Sequence, residues 1–291
     1  MKERKPIIEI KGLTFTYSGK GVAKPALKGI NLTIYEGEYV ALMGLNGAGK
    51  TTLELCLNGV IPNMIVGDYE GEVIVEGKDT YDTPVREMAK SVGMVFDNPA
   101  FQISQMFVAE EIALGMESLG ISSEIMHSRV PEVLEIVGLA GLEERSPFGL
   151  SGGQQQRLAI ASALAMEPNI LVMDEPTSNV DPIGKEEIFA VAEDLNKKRG
   201  MTVIMAEHEV EVIAAYADRV VVLEDGEVIL NGTPHEVFSN IEEFHRLGLR
   251  LPQVTEFAYQ LEKEGITKFD KYYPVTVDEA VEVFKKRGIT L

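Results

Sequence analysis

The sequence predicts an α/β fold: a core with a mainly parallel sheet, an antiparallel β lobe ahead of it, a helical lobe inserted in it, and a small C-terminal α/β domain. Three observations carry this. Strand-like apolar runs alternate with helical patterns through the middle of the chain, as βαβ units do. A glycine-rich loop at 44–52 follows one such run and leads into a helical pattern. A second apolar run at 170–173 ends in a pair of acids, Asp174 and Glu175.

Taken in order, the segment 7–17 reads as a strand, followed by strands at 30–35 and 38–43 around the turn Glu36-Gly37. Short strands follow at 72–75 and 92–96. The stretch 108–137 is helical in pattern and is expected to break at Gly120 and Pro131. A helix at 151–166 precedes the strand 170–173, then come a helix at 184–198, a strand at 202–206, a helix at 210–216 and a strand at 220–223. Asp225-Gly226 is a two-residue hairpin signal leading to a strand at 228–230. After Thr233-Pro234 the character changes, with helices expected at 253–263 and 277–286. The boundaries expected are 1–235 for the main domain, with its helical lobe at about 98–166, and 236–291 for the C-terminal domain.

A chain of 291 residues can bury one large core and carry a small appendage. Its net charge of −19 argues against a nucleic-acid partner, whose phosphates require cations. The single Cys56 excludes an internal disulfide, fits a reducing compartment, and lies in a helical pattern where it reads as core filler. The start Met1-Lys2-Glu3-Arg4-Lys5-Pro6 is charged with no apolar run behind it, and no stretch reaches the length of a membrane span. A cytosolic chain is expected, unless a partner holds it at a membrane.

The motifs carry the chemistry. Gly44-Leu45-Asn46-Gly47-Ala48-Gly49-Lys50-Thr51 fits G-x-x-x-x-G-K-[ST] between strand and helix, with Thr52 continuing it. Such a loop wraps a β-phosphate in backbone N–H groups, extends its lysine to the β- and γ-oxygens, and offers a hydroxyl to Mg²⁺. The acids at the end of the 170–173 strand lie where sheet ligands collect: Asp174 is placed to hold Mg²⁺ through water and Glu175 to orient or deprotonate an attacking water. Leu150-Ser151-Gly152-Gly153-Gln154 places a serine and two glycines at the mouth of a helix, leaving N–H groups bare for an anion. The same serine also reads as an ordinary N-cap. His208 follows the next strand, where a donor to a γ-phosphate is needed, whereas His127, His235 and His245 read as surface residues.

In the order and spacing of these motifs, the segment 7–235 resembles the ATP-binding-cassette (ABC) ATPase family, a branch of the P-loop NTPases. The resemblance implies a head-to-tail dimer in which each ATP lies between one subunit's phosphate loop and the other's signature, with Ser151 and Gly153 meeting the γ-phosphate in trans. Asp181 matches the family's D-loop aspartate. Tyr17 matches the aromatic that stacks on adenine, although it also reads as a strand-end core tyrosine. One position departs from the pattern: Asp97 stands where the family has a glutamine. It is expected to serve Mg²⁺ or its water, with Gln102 as a candidate substitute for the missing amide.

The segment Phe96-Asp97-Asn98-Pro99-Ala100-Phe101-Gln102 further resembles the F-Q-N-P-x-x-Q segment of energy-coupling-factor (ECF) transporter ATPases, as do Leu249 to Glu256 and Thr276 to Ala280 in the C-terminal region. This implies ATP and Mg²⁺ as cofactors and a second ATPase subunit, alike or unlike, as partner. It also implies a transmembrane scaffold, a substrate-binding membrane protein, and a place on the cytoplasmic side of the membrane. Vitamins or transition-metal ions are the implied cargo. The nearest alternative is the ATPase of a conventional importer with a regulatory C-terminal domain. Phe101, Ile103, Met106, Phe107 and Met116 read equally as a docking surface for the membrane partner and as core of the helical lobe.

Overall fold

The computed structural model describes residues 5–19, 24–270 and 272–289. The first four residues of the charged start, Met1 to Arg4, lie outside them.

Alternating burial makes the first layer. Strand β1 (Pro6–Tyr17) buries Ile8, Ile10, Leu13 and Phe15, and pairs antiparallel with β2 (Leu27–Tyr35). The chain turns at Glu36-Gly37 into β3 (Tyr39–Met43), which is buried throughout, as a strand covered on both faces must be. The phosphate loop then opens α1 (Lys50–Leu57), followed by a short turn of helix, α2 (Val60–Asn63). Strand β4 (Gly67–Val75) returns to β1 and carries the two-residue β5 (Lys78–Asp79), giving a sheet of order β2-β1-β4-β5. The expected strand 72–75 begins earlier than its composition suggests. Gly67, Asp68 and Glu70 read as turn residues, yet their backbones pair with Tyr17, Thr16 and Thr14 of β1.

After α3 (Val85–Met88), β6 (Val92–Val95) enters the second sheet. The helical lobe follows as α4 (Val108–Leu119), α5 (Ser123–Ile136) and the signature helix α6 (Gly152–Leu164). Gly120 ends α4 in a left-handed C-cap, but the break expected at Pro131 does not occur, and α5 runs through it. A proline costs a helix one N–H bond and crowds the preceding turn; tertiary packing of Val130, Val133 and Leu134 into the lobe's core offsets that cost.

The chain then alternates through β7 (Ile170–Asp174), α7 (Pro182–Arg199), β8 (Thr202–Ala206), α8 (Val210–Tyr216) and β9 (Arg219–Glu224), and closes the hairpin with β10 (Glu227–Gly232). The sheet order is β10-β9-β3-β8-β7-β6, parallel except for the β10–β9 pair. Alternate residues feed opposite faces. Ile170 and Val172 join the core under the antiparallel sheet, while Leu171 and Met173 join the core of the helical lobe.

Four helices end the chain: α9 (Pro234–Phe238), α10 (Ile241–Leu247), α11 (Gln253–Lys263) and α12 (Val277–Lys286). Among the described residues no strand follows Gly232, so this segment is helical rather than the α/β unit expected. Its extended stretch around Tyr273-Pro274-Val275 joins no sheet, and Pro274 has no N–H to offer one. The helices share a continuous core with the main sheet, where Phe238, Phe244, Phe269 and Phe284 pack in one cluster with Ala41, Met43, Val220 and Val222. No helix among the described residues is long and apolar enough to cross a membrane.

Candidate active site

The ends of β1, β3, β6 and β7 surround a cleft of about 410 Å³ lined by Tyr17, Ala26, Asn46, Gly47, Gly49, Lys50, Thr51, Thr52, Asp97, Asp174 and Glu175. The phosphate loop needs its glycines sterically. At Gly44 φ is +147° and a Cβ would stand 2.4 Å from the Leu223 carbonyl, so no other residue fits beneath the loop. The other loop positions have separate duties. The Gly44 carbonyl accepts a hydrogen bond from Lys50 Nζ at 2.9 Å, Leu45 is exposed, and Ala48 is buried in the core. Tyr17 leaves its ring partly exposed on the cleft, steadied by a 2.9 Å hydrogen bond with Thr52 Oγ1 and an edge contact to Phe15.

Three acids face this cleft. Thr51 Oγ1 donates to Asp174 Oδ2 at 2.6 Å. Burial pushes the Asp174 carboxyl above its usual range; the Thr51 bond opposes this, and the charges of Glu175 and Asp97 add to it. Glu175 sits in left-handed backbone, φ +44°, ahead of Pro176. Its Oε1 accepts from His208 Nε2 at 2.9 Å and lies 3.2 Å from Lys50 Nζ. Burial works against the Glu175 charge, but His208 and Lys50 together hold its carboxyl below the usual range.

Among the described residues no cluster of three or more His, Cys, Asp or Glu side chains forms a metal cage. The hard oxygens of Thr51, Asp174 and Asp97 instead fit the Mg²⁺ pattern of few protein ligands completed by substrate phosphates and water. The mutual repulsion of these acids is what a divalent cation would relieve.

The signature stands apart from this cleft. Ser151 and Gln154 close a capping box: Ser151 Oγ accepts from Gln154 N at 3.3 Å, and Gln154 Oε1 from Ser151 N at 3.0 Å. A Cβ on Gly153 would stand 3.1 Å from Gly184 Cα, so the signature needs glycine there to lie against the start of α7. Gly152 is exposed at the same helix mouth. The Asp181 carboxylate caps α7, accepting from Ile183 N and Gly184 N, each at 3.1 Å.

Gln102 does not stand in for the missing amide at Asp97. Its Oε1 accepts from Phe96 N at 2.9 Å and its Nε2 donates to Met94 O at 3.0 Å, so both ends are spent on the backbone leaving β6. Gln156 of α6 donates to Phe96 O at 2.8 Å, tying the signature helix to the same strand end. Gln156, Glu54 and Glu207 escape sequence reasoning, because their surroundings are set by residues distant in the chain. Glu54 of α1 is fully buried beside Asp174. Burial first, then the Asp174 charge, raises its carboxyl well above the usual range.

The apolar set on the helical lobe divides. Ile103 and Met116 are core, while Phe101 and Met106 are 83% and 70% exposed and Phe107 is 45% exposed. Beside them α4 and α5 flank a groove lined by Ala109, Ala113, Leu114, Met126 and Val130, with Glu110 and Glu117 among its polar residues. His127 and His245 are exposed, while His235 is half-buried and stacked on Tyr272.

The chain is similar to known proteins of one family. The ABC transporter family model matches residues 27–178. The chain is 45% identical over 260 residues to the energy-coupling factor transporter ATP-binding protein EcfA of Methanocaldococcus jannaschii, covering 89% of this chain and 90% of that one. It is 41% identical over 278 residues to EcfA1 of Caldanaerobacter subterraneus subsp. tengcongensis, covering 95% and 98%. Among solved structures, CbiO1 from Clostridium perfringens, part of the ABC transporter complex CbiONQ, superposes with a TM-score of 0.71 at 33% identity, covering 86% of this chain and 97% of that one. A dimeric ATP-binding cassette in a post-hydrolysis state with ADP and Pi bound superposes with a TM-score of 0.69 at 32% identity, covering 78% and 98%. ABC cassettes thus form dimers and work with membrane components, and the chain belongs to their family: it is an ABC ATPase, coupling ATP hydrolysis to transport, and is similar to energy-coupling-factor ATP-binding subunits.

Proposed function

We propose that this chain powers an ECF-type importer of a vitamin or a transition-metal ion, from the cytoplasmic face of the membrane, by hydrolysing ATP in two sites shared with a second ATPase subunit. The reading rests on one observation: a phosphate loop and the Glu175 carboxylate, bonded to His208, share a cleft that the chain's own signature does not line. The missing wall is then the signature of a second subunit, whose Ser151 and Gly153 equivalents would meet the γ-phosphate.

Within each site, Tyr17 stacks on the adenine, and the N–H groups of the loop with Lys50 hold the phosphates. Thr51 and Asp174, with Asp97 nearby, would hold Mg²⁺, which would supply neutralisation of phosphate charge. Lys50 leaves Glu175 for the phosphates as ATP enters. With that cation gone, the Glu175 carboxylate becomes a better base for the attacking water. His208 Nε2–H, the donor to Glu175, keeps the carboxylate aimed and would be the donor to a γ-phosphate. Asp181 keeps the start of α7 against the signature. The exposed Phe101 and Met106, with the groove between α4 and α5, form the seat for a transmembrane scaffold. The segment after about residue 235 supports the ATPase pair.

The experiment is Glu175→Gln. This variant should bind Mg·ATP, lose hydrolysis about a thousandfold or more, and accumulate as an ATP-bound dimer in gel filtration. Rapid turnover by Glu175→Gln would refute the role of Glu175. Copurification from the native membrane addresses the transport reading: a small substrate-binding membrane protein supports the ECF type, and dependence on a separate extracellular binding protein supports a conventional importer.

A further inference from the structure

Two loops carry the Glu175–His208 pair, one leaving β7 and one leaving β8, and a second bond joins them underneath. Thr177 Oγ1 donates to Glu207 Oε2 at 2.7 Å, with Thr177 1% and Glu207 4% exposed. The other oxygen of Glu207 accepts from the backbone N–H of His208 at 2.8 Å and of Glu209 at 3.3 Å. A buried carboxylate is tolerated when its oxygens are hydrogen-bonded, and three donors meet the two oxygens here. The next residue is fixed as well, because Glu209 pairs with Lys185 of α7.

The upper pair has no such shelter. The His208 and Glu175 side chains are 43% and 25% exposed, and a solvent-exposed side-chain contact holds its geometry weakly against solvent and side-chain entropy. The lower bond supplies what the upper one lacks: it fixes the backbone N–H of His208 relative to the Thr177 turn, two residues past Glu175.

We propose that Glu207, acting with Thr177, is a positioning residue for ATP hydrolysis: a buried brace that sets where His208 stands relative to Glu175. This rests on the roles given to Glu175 and His208 above. Glu207 is buried and does not line the nucleotide cleft. It acts through the backbone it holds, and a displacement of about 1 Å at a reacting group is enough to cost turnover heavily.

The test is a double-mutant cycle on the full-length ATPase, with Glu207→Gln, Thr177→Val and Thr177→Ser, each alone and combined with His208→Ala. Thermal unfolding selects variants that keep the fold, and nucleotide binding is measured separately with a fluorescent ATP analogue. Glu207→Gln and Thr177→Val should each lower kcat about tenfold while leaving nucleotide affinity within about twofold, and Thr177→Ser, which keeps the hydroxyl, should restore turnover. In the His208→Ala background, single-turnover assays should show no further loss from either change, because the residue they position is gone. Independent, multiplicative losses in that background, or full turnover in both Glu207→Gln and Thr177→Val, would overturn the brace while leaving His208's role intact. Full turnover by His208→Ala would overturn the underlying reading, and the brace with it.

Discussion

Lys50 Nζ stands 3.2 Å from Glu175 Oε1 and 2.9 Å from the Gly44 carbonyl, so the lysine that should meet phosphate is held by the site's own acid. The contact pairs one cation with one of the three acids that face the cleft. Its cation is only 5% exposed and its carboxylate takes a second bond from His208.

This latch makes ATP compete with Glu175 for Lys50. Glu175→Gln replaces a charged acceptor by a neutral one, so Lys50 is freed at lower cost. Nucleotide affinity measured by calorimetry in EDTA should rise about tenfold in that variant, the scale of one charge-assisted hydrogen bond. Unchanged or weaker affinity would mean that the Lys50–Glu175 contact does not oppose binding.

Glu54 makes a stability prediction with a definite sign. Its folded carboxyl holds its proton well above the pH at which the unfolded chain gives it up. Above the ordinary carboxylate range the folded state therefore binds more protons than the unfolded one, and stability falls as pH rises through that window. Glu54→Leu removes the buried polar group and the slope together. Denaturant unfolding in EDTA should show the variant more stable, with a gain that grows as pH rises above the ordinary carboxylate range. A gain that does not grow with pH would show that Glu54 is not the group responsible.

Asp97 brings a carboxylate to the cleft where a relative of this family would bring an amide, and Gln102 is committed elsewhere. Asp97→Ala should raise the Mg²⁺ concentration for half-maximal hydrolysis about tenfold, the usual effect of losing a supporting group around a metal. Hydrolysis with an unchanged Mg²⁺ requirement would remove Asp97 from the metal site.

What the sequence made legible were features whose logic is local. The glycine loop, the apolar strand ending in Asp174-Glu175 and the capped signature helix each declare themselves within a few residues, and the parallel order of strands follows from their alternation with helices. Features settled by distant partners were not legible. The early start of β4 depends on pairing with β1, the continuity of α5 through Pro131 depends on lobe packing, and the tail at Pro274 fails to make a strand because no sheet edge receives it. Gln102 looked like a spare amide because its two backbone partners are invisible in the linear chain. Glu207, next to His208 in sequence, carried a signal that only Thr177's place beneath it makes meaningful.

The division of the site between two subunits is tested most directly by mixing two inactive variants. Lys50→Ala spoils a chain's own phosphate loop, and Ser151→Arg spoils the signature it lends to its partner. A composite site requires each variant to be inactive alone and ATPase activity to reappear on mixing, because a mixed dimer contains one site made from two intact halves. Persistent inactivity of the mixture, with mixed dimers demonstrated by differential tagging, would contradict it.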